Sequence, residues 1–155
     1  MSRPKGFFEL KTPSDLLAKL RHDYQRLQSS PTDTYAAFDF FVTGYHMLDW
    51  LYPGDENKKR RKKEEKESIL LQICSHIANG IKHFHASPER HKSVADVRVQ
   101  EGAFQRDAFQ ANAFQVEALI IKLDRQAAVQ FGTEVECLAL ATQVLQHWEN
   151  HPDLK

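Results

Sequence analysis

The sequence predicts a mainly α fold: a helical bundle of three long helices with a small β hairpin-like element and a closing C-terminal helix. Three observations predict it. Apolar side chains recur at helical spacing through residues 12–29, 33–52 and about 62–84. Residues 94–124 change to a β-branched texture. The 155-residue length, with 41% hydrophobic and 27% charged residues, suits one average domain that buries its own core. Residues 1–155 are therefore read as a single helical domain with a β insertion at about 94–124.

Thr12-Pro13-Ser14-Asp15 offers an N-cap, a proline at the first helical position and an acidic first turn. Leu16, Leu17, Leu20, Tyr24 and Leu27 continue that helix to Ser29-Ser30-Pro31. Thr32 or Asp33 caps a second helix, whose stripe Tyr35, Phe38, Phe41, Val42, Tyr45, Leu48 and Tyr52 is stopped by Pro53-Gly54. Met47, Trp50 and Leu51 fall on its other side, so this helix is apolar nearly all round, as expected of a central or interface helix. The third helix starts from Lys58-Lys59-Arg60-Arg61-Lys62-Lys63, continues through Glu64-Glu65-Lys66-Glu67 and carries Ile69, Leu70, Ile73, Ile77, Ile81 and Phe84 before Pro88. Six cations at a helix start oppose the macrodipole, so regular helix is expected from about Lys62, with Arg60–Glu64 and Arg61–Glu65 as i,i+4 pairs. Gly80, inside the apolar arc, is expected to admit a neighbouring backbone.

Val94, Val97 and Val99, and the run from Val116 to Asp124, read as strands. Between them Ala-Phe-Gln recurs at 103–105, 108–110 and 113–115, a five-residue period that fits neither a helix face nor strand alternation. A loop or bulged hairpin anchored by Phe104, Phe109 and Phe114 is expected. The last helix is predicted from Gly132-Thr133 through Val135, Leu138, Ala141, Leu145 and Trp148 to His151-Pro152.

Lys plus Arg equals Asp plus Glu at 21 each, so any attraction for phosphates must be local. No run approaches the roughly 20 apolar residues of a membrane span, and the N-terminus has no signal-peptide core. Cys74 and Cys137 fit no zinc or redox spacing, which suits a cytoplasmic protein without a cofactor. A phosphate-cradling Gly-rich loop, a nucleophile elbow, a di-iron carboxylate motif and a CxxC pair are all missing from the sequence.

On a helical wheel His76, Asn79 and His83 share one border of the third helix's apolar arc, while Lys82 and His85 point elsewhere. Asp49 falls within the apolar arc of the second helix, beside His46 and Asp39. A carboxylate facing a core needs a partner, so Asp49 is expected to meet the histidines of the third helix. His76 and His83 stand two turns, about 10 Å, apart, too far for one zinc. Asp49, His46 and His83 remain as a three-ligand alternative. The basic run is either a solvated face or a phosphate-contact site. Without interleaved aromatics it would supply salt-dependent backbone affinity and no sequence readout.

The stretch Ala78-Asn79-Gly80-Ile81-Lys82-His83-Phe84-His85 resembles the late-helix motif of HEPN domains. Asn79 and His83 stand at matching positions; Ala78 replaces the motif's arginine and His85 its tyrosine. HEPN domains are small helical bundles, many of them metal-independent ribonucleases of toxin and antiviral defence systems. The resemblance implies a homodimer whose late-helix histidines face a shared cleft. His83 would act on RNA by acid–base chemistry, oriented by Asn79 and helped by His76 or His46, with Asp49 alongside. Lys58, Lys59, Arg60, Arg61, Lys62, Lys63 and Lys82 would contact RNA, and one of these cations would replace the missing arginine. The alternatives are a non-catalytic adaptor or oligomerisation module, bound to a protein partner or its own copy through the second helix and the Phe loop, and a metal-binding helical protein. No reading involves a membrane.

Overall fold

The computed structural model describes residues 5–83, 92–100 and 117–155, the side chains of 81–83 excepted. The Phe repeat, Phe84, His85 and His91 lie outside these residues. The fold is mainly helical with a small antiparallel sheet, as the sequence predicts.

Helix α1 spans Pro13–Ser29. The Thr12 hydroxyl accepts from the Asp15 backbone N–H, and the Asp15 carboxylate accepts from the Thr12 N–H at 2.8 Å, closing a capping box. Its buried side carries Leu16, Leu17, Leu20 and Leu27, and also Asp23. Asp23 is 2% exposed and is satisfied by Lys19 Nζ at 2.5 Å, the Thr43 hydroxyl at 3.1 Å and Arg26 Nη1 at 3.7 Å.

Helix α2, Thr34–Leu51, is capped by the Asp33 carboxylate, which accepts from the Tyr35 and Ala36 N–H groups. Its core face is the predicted aromatic stripe only in part: Phe41, Leu48 and Tyr52 of that stripe are buried, but its N-terminal members are not. Ala36, Ala37, Phe40, Phe41, Gly44, Met47 and Leu48 are buried, whereas Tyr35 is 81% exposed and Phe38 45%. A helix apolar on all sides leaves its rotation to packing, and the small residues decide it. Gly44 faces Val144, Cys74 and Leu20, and a Cβ there would lie 3.4 Å from Val144 Cγ1, whereas the backbone approach expected at Gly80 is not seen. Nothing among the described residues comes within 4 Å of a Cβ at Gly80.

The predicted third helix is two helices. A 3-10 turn at Asp55–Asn57 leads into α3, Lys58–Glu67; Ser68 is extended (φ −120°, ψ 113°) and α4 follows as Ile69–His83. The cations are helical from Lys58 onward, four residues earlier than expected. Asp55 and Glu56 precede them on the side where the macrodipole favours negative charge. Tertiary partners also draw two arginines off the helix. Arg60 reaches Asp153 at 2.6 Å and lies over the Tyr52 ring at 3.9 Å; Arg61 donates to the Tyr52 and Gly54 carbonyls. The Arg60–Glu64 and Arg61–Glu65 pairs are therefore not formed, and the i,i+4 pair of α3 is Lys63–Glu67. The break itself follows from Ser68, whose hydroxyl accepts from the Leu71 N–H and restarts the helix as a cap would.

Strand β1, Val94–Gln100, pairs antiparallel with β2, Ala118–Leu123, through a bulge between Val94 and Asp96. Two elements were not anticipated. Helix α5, Arg125–Phe131, is capped by Asp124 and ends at Gly132 (φ +87°). Strand β3, Glu134–Glu136, then adds to β2, giving the order β1-β2-β3. Helix α6 consequently starts at Cys137, not Gly132, and runs to Glu149. The alternation Glu134-Val135-Glu136 is that of a half-buried strand.

Helices α1, α2, α4, α5 and α6 and strand β2 meet in a core with Trp148, Phe40, Phe41, Leu20 and Met47 at its centre, to which α3 contributes no buried residue. Cys74 and Cys137 are buried as free thiols, and burial pushes both up to about 12, so neither offers a reactive thiolate. Among the described residues, no helix is long and apolar enough to cross a membrane.

Candidate phosphate-binding cleft

The break at Ser68 leaves a cleft of about 670 Å³ between α2, α3 and α4. Tyr45, Leu48 and Asp49 line it from α2, and Gln72, Ser75 and Asn79 from α4. Helix α3 contributes Lys58, Arg61, Lys62, Glu65 and Lys66. Gln72 Nε2 donates to the Lys66 carbonyl at 2.9 Å, joining the end of α3 to α4 across the break.

Four cations thus face two carboxylates, Asp49 and Glu65. Asp49 is half exposed and engaged: Oδ1 lies 3.3 Å from Arg61 Nε and Oδ2 3.1 Å from His46 Nδ1. The His46 bond, ahead of the His46 and Arg61 charges and against partial burial, holds its carboxyl below the usual range. Lys58, Lys62 and Lys66, each four residues from the next, share one face of α3. Their ammonium groups make no hydrogen bond or ion pair with the described residues. On the floor, Asn79 Nδ2 donates to the Ser75 carbonyl at 2.9 Å. The Tyr45 phenol is pushed up by burial and the Glu65 charge, with the Ser75 and Asn79 side chains opposing. It is a neutral hydrogen-bonding group at neutral pH.

No protein-family model matches the chain, and comparison with curated proteins and with solved structures finds no match either. What the cleft can do follows from its side chains alone.

Of the predicted site residues, Asp49, Asn79, Lys58, Arg61 and Lys62 come together in this cleft. Asp49 joins His46 and Arg61, and of the third helix's histidines expected to meet it the His83 side chain lies outside the described residues. Met47 is fully buried, and two residues on, about 200° around the helix, Asp49 faces outward to Arg61. His76 serves the scaffold, since its Nδ1 accepts from the Val94 N–H at 3.1 Å and the Ser93 N–H at 3.3 Å, fastening the start of β1 to α4. His46 is half exposed and bonded to Asp49. His83 ends α4 one turn beyond Asn79, and its side chain, like that of Lys82, lies outside the described residues. Arg60 is held by Asp153, Lys63 by Glu67, and Lys59 is exposed outside the cleft lining.

Among the described residues no group of three His, Cys, Asp or Glu side chains could hold a metal ion. Sequence reasoning missed Tyr45, Glu65, Lys66, Gln72 and Ser75. The spacing Lys58, Lys62, Lys66 was visible, but starting the helix at Lys62 hid that these lysines share a face.

Asp49 and Asp153 set an acid limit. Asp153 is lowered first by its hydrogen bond from Tyr52, then by Arg60 and His151 against desolvation. A carboxylate lowered on folding stabilises the native state fully above its unfolded pKa, near 4, and that contribution is lost as pH falls through the lower folded value. Guanidinium midpoints are therefore expected to be unaffected by these two groups from pH 7 to 5 and to fall below about pH 4. The double variant Asp49→Asn/Asp153→Asn should show a shallower acid decline. An identical decline in variant and wild type would remove these carboxylates from the account.

Proposed function

We propose that the protein binds RNA through the α2–α4 cleft, with Lys58, Lys62 and Lys66 contacting successive phosphates. The observation that carries this is the ridge of three lysines, free of ionic partners among the described residues, along a polar cleft that also holds Asn79. Four residues of helix advance about 6 Å, of the order of the phosphate spacing on an extended strand. Three unneutralised cations would release counterions on binding a polyanion. The resemblance to HEPN domains, which rests on Asn79 and His83, supports the RNA class and suggests a defence or toxin-type setting.

Binding without cleavage is the form of this reading that the side chains favour. His76 is committed to the β1 backbone and His46 to Asp49, so neither is placed as an acid–base helper in the cleft. Ribonuclease action through His83 is kept as a second outcome because Asn79 lies in the cleft one turn before it. Self-association is a third. Phe38, Phe41, Val97 and Val99 line an apolar groove of about 310 Å³ between α2 and the sheet, and a solution mass twice that of the chain would favour it.

The test is fluorescence anisotropy with a labelled 20-nucleotide RNA between 50 and 200 mM salt. The wild type should bind with a negative log–log salt slope. Lys58→Ala/Lys62→Ala/Lys66→Ala should make that slope shallower by about 2, at roughly 0.7 per cation for a single strand. No binding at 50 mM salt ends the proposal. Cleavage of the RNA by wild type and not by His83→Ala would replace it with the ribonuclease reading.

A further inference from the structure

We infer that the RNA taken by this cleft is single-stranded, with an unpaired base stacked on an aromatic shelf that Phe7 and Trp50 form beside it; this rests on the RNA-binding reading above. A second cavity, about 480 Å³, meets the lysine-lined cleft at Asp49, which lines both. Its walls carry Phe7, Trp50 and Pro53, with Lys5 and Lys11 at hand. Phe7 is 65% exposed and Phe8, edge-on to it with ring centroids 4.7 Å apart, is 74% exposed. Two outward phenylalanines side by side form an apolar surface that water alone does not favour.

These rings are held in place. The Phe7 N–H donates to the Leu10 carbonyl at 2.8 Å and the Leu10 N–H returns to the Phe7 carbonyl at 2.9 Å. Gly6 has φ +77°, and a Cβ there would lie 2.1 Å from the Leu10 carbonyl oxygen, so the turn requires glycine. The turn runs straight into the α1 capping box, where the Lys11 and Thr12 N–H groups both donate to Asp15. An aromatic ring presented on a fixed turn can stack on a base with little further loss of freedom.

Stacking selects the strand form. In a duplex both faces of each internal base are covered by neighbours, whereas an unpaired base offers its π-face to an aromatic side chain. Lys5 and Lys11 line the same cavity, the Lys11 ammonium donating to the Lys5 carbonyl at 3.3 Å, and bring positive charge for a phosphate flanking such a base. Aromatic and basic groups at adjoining cavities are the two components that sequence-tolerant single-strand binders combine.

The full chain is titrated against a labelled 20-nucleotide single-stranded RNA and against the same strand annealed to its complement, at 50 mM salt. The single strand is expected to bind at least about tenfold tighter than the duplex. Phe7→Ala should weaken single-strand binding by roughly 5- to 150-fold, with the salt slope unchanged, and Phe7→Tyr should restore it. Because Phe7 is largely exposed, the variant's thermal midpoint should match the wild type's. Equal affinity for duplex, or unchanged binding by Phe7→Ala while the triple lysine variant fails, overturns the shelf and leaves the RNA reading standing. If neither RNA form binds, the RNA reading itself falls and the shelf with it.

Discussion

Replacing Trp148 with alanine is expected to destabilise the protein by about 3–5 kcal/mol, the range for removing a fully buried large aromatic side chain. Trp148 has no exposed surface and belongs to the central cluster with Phe40, Phe41 and Leu20. Its ring is edge-on to His147 at 5.0 Å and tilted against His151 at 5.4 Å; His151 in turn lies 3.3 Å from Glu64 of α3. Loss of the indole thus removes core volume and loosens the C-terminal turn that helps seat the basic helix. Against a typical domain stability of roughly 5–15 kcal/mol, the change would leave much of the protein unfolded at modest denaturant. Trp148→Phe should be far milder, below about 2 kcal/mol, because it keeps an aromatic ring while deleting a buried N–H that has no acceptor among the described residues. Guanidinium unfolding of both variants checks this. An alanine variant within about 1 kcal/mol of wild type would contradict the packing described.

Lys19→Met is the second large effect, expected to destabilise by about 2 kcal/mol. Asp23 is almost fully buried, and Lys19 supplies its shortest contact, at 2.5 Å, while also donating to the Thr43 hydroxyl at 2.9 Å. Removing one partner of a buried pair typically costs about 3–5 kcal/mol, because the remaining charge stays buried without compensation. The value here is lower on two counts: the Lys19 side chain is 37% exposed, so solvent screens the pair, and Arg26 remains 3.7 Å from Asp23. Lys19→Met/Asp23→Leu should recover much of the loss, since replacing both charges with apolar groups is often close to neutral. If the double variant is less stable than wild type by the full sum of the two single changes, the pair is not energetically coupled.

Element types were legible wherever local chemistry acts alone. Thr12-Pro13-Ser14-Asp15 starts a helix because its side chains satisfy their own backbone, and Asp33 does the same for α2. Rotation about a helix axis was a different matter. In α2 the apolar residues surround the axis, so periodicity places Tyr35 and Phe38 inside along with Phe41 and Leu48; the core instead takes Ala36, Ala37, Phe40 and Gly44, the last packed on Val144 of α6 and Cys74 of α4. Asp49 followed that rotation outward, to His46 and Arg61. The basic run departs from its sequence reading for a related reason. Its helix start looked unfavourable in isolation, yet Asp153, distant in sequence, holds Arg60, and the carbonyls of Tyr52 and Gly54 hold Arg61. The cleft was half visible: Asp49, Asn79 and the lysines were singled out, but not the helix break that makes them neighbours.

From its sequence by itself, the protein was bound to be mostly helical, with a strand pair after residue 93 and a cluster of cations near residue 60, since caps, periodicity and β-branching act over a few residues. Tertiary structure alone decided which side of α2 faces inward, which lysines remain without ionic partners among the described residues, and that His76 fastens a strand. Those outcomes depend on close approach between segments far apart in the chain, a property that short-range propensity does not carry.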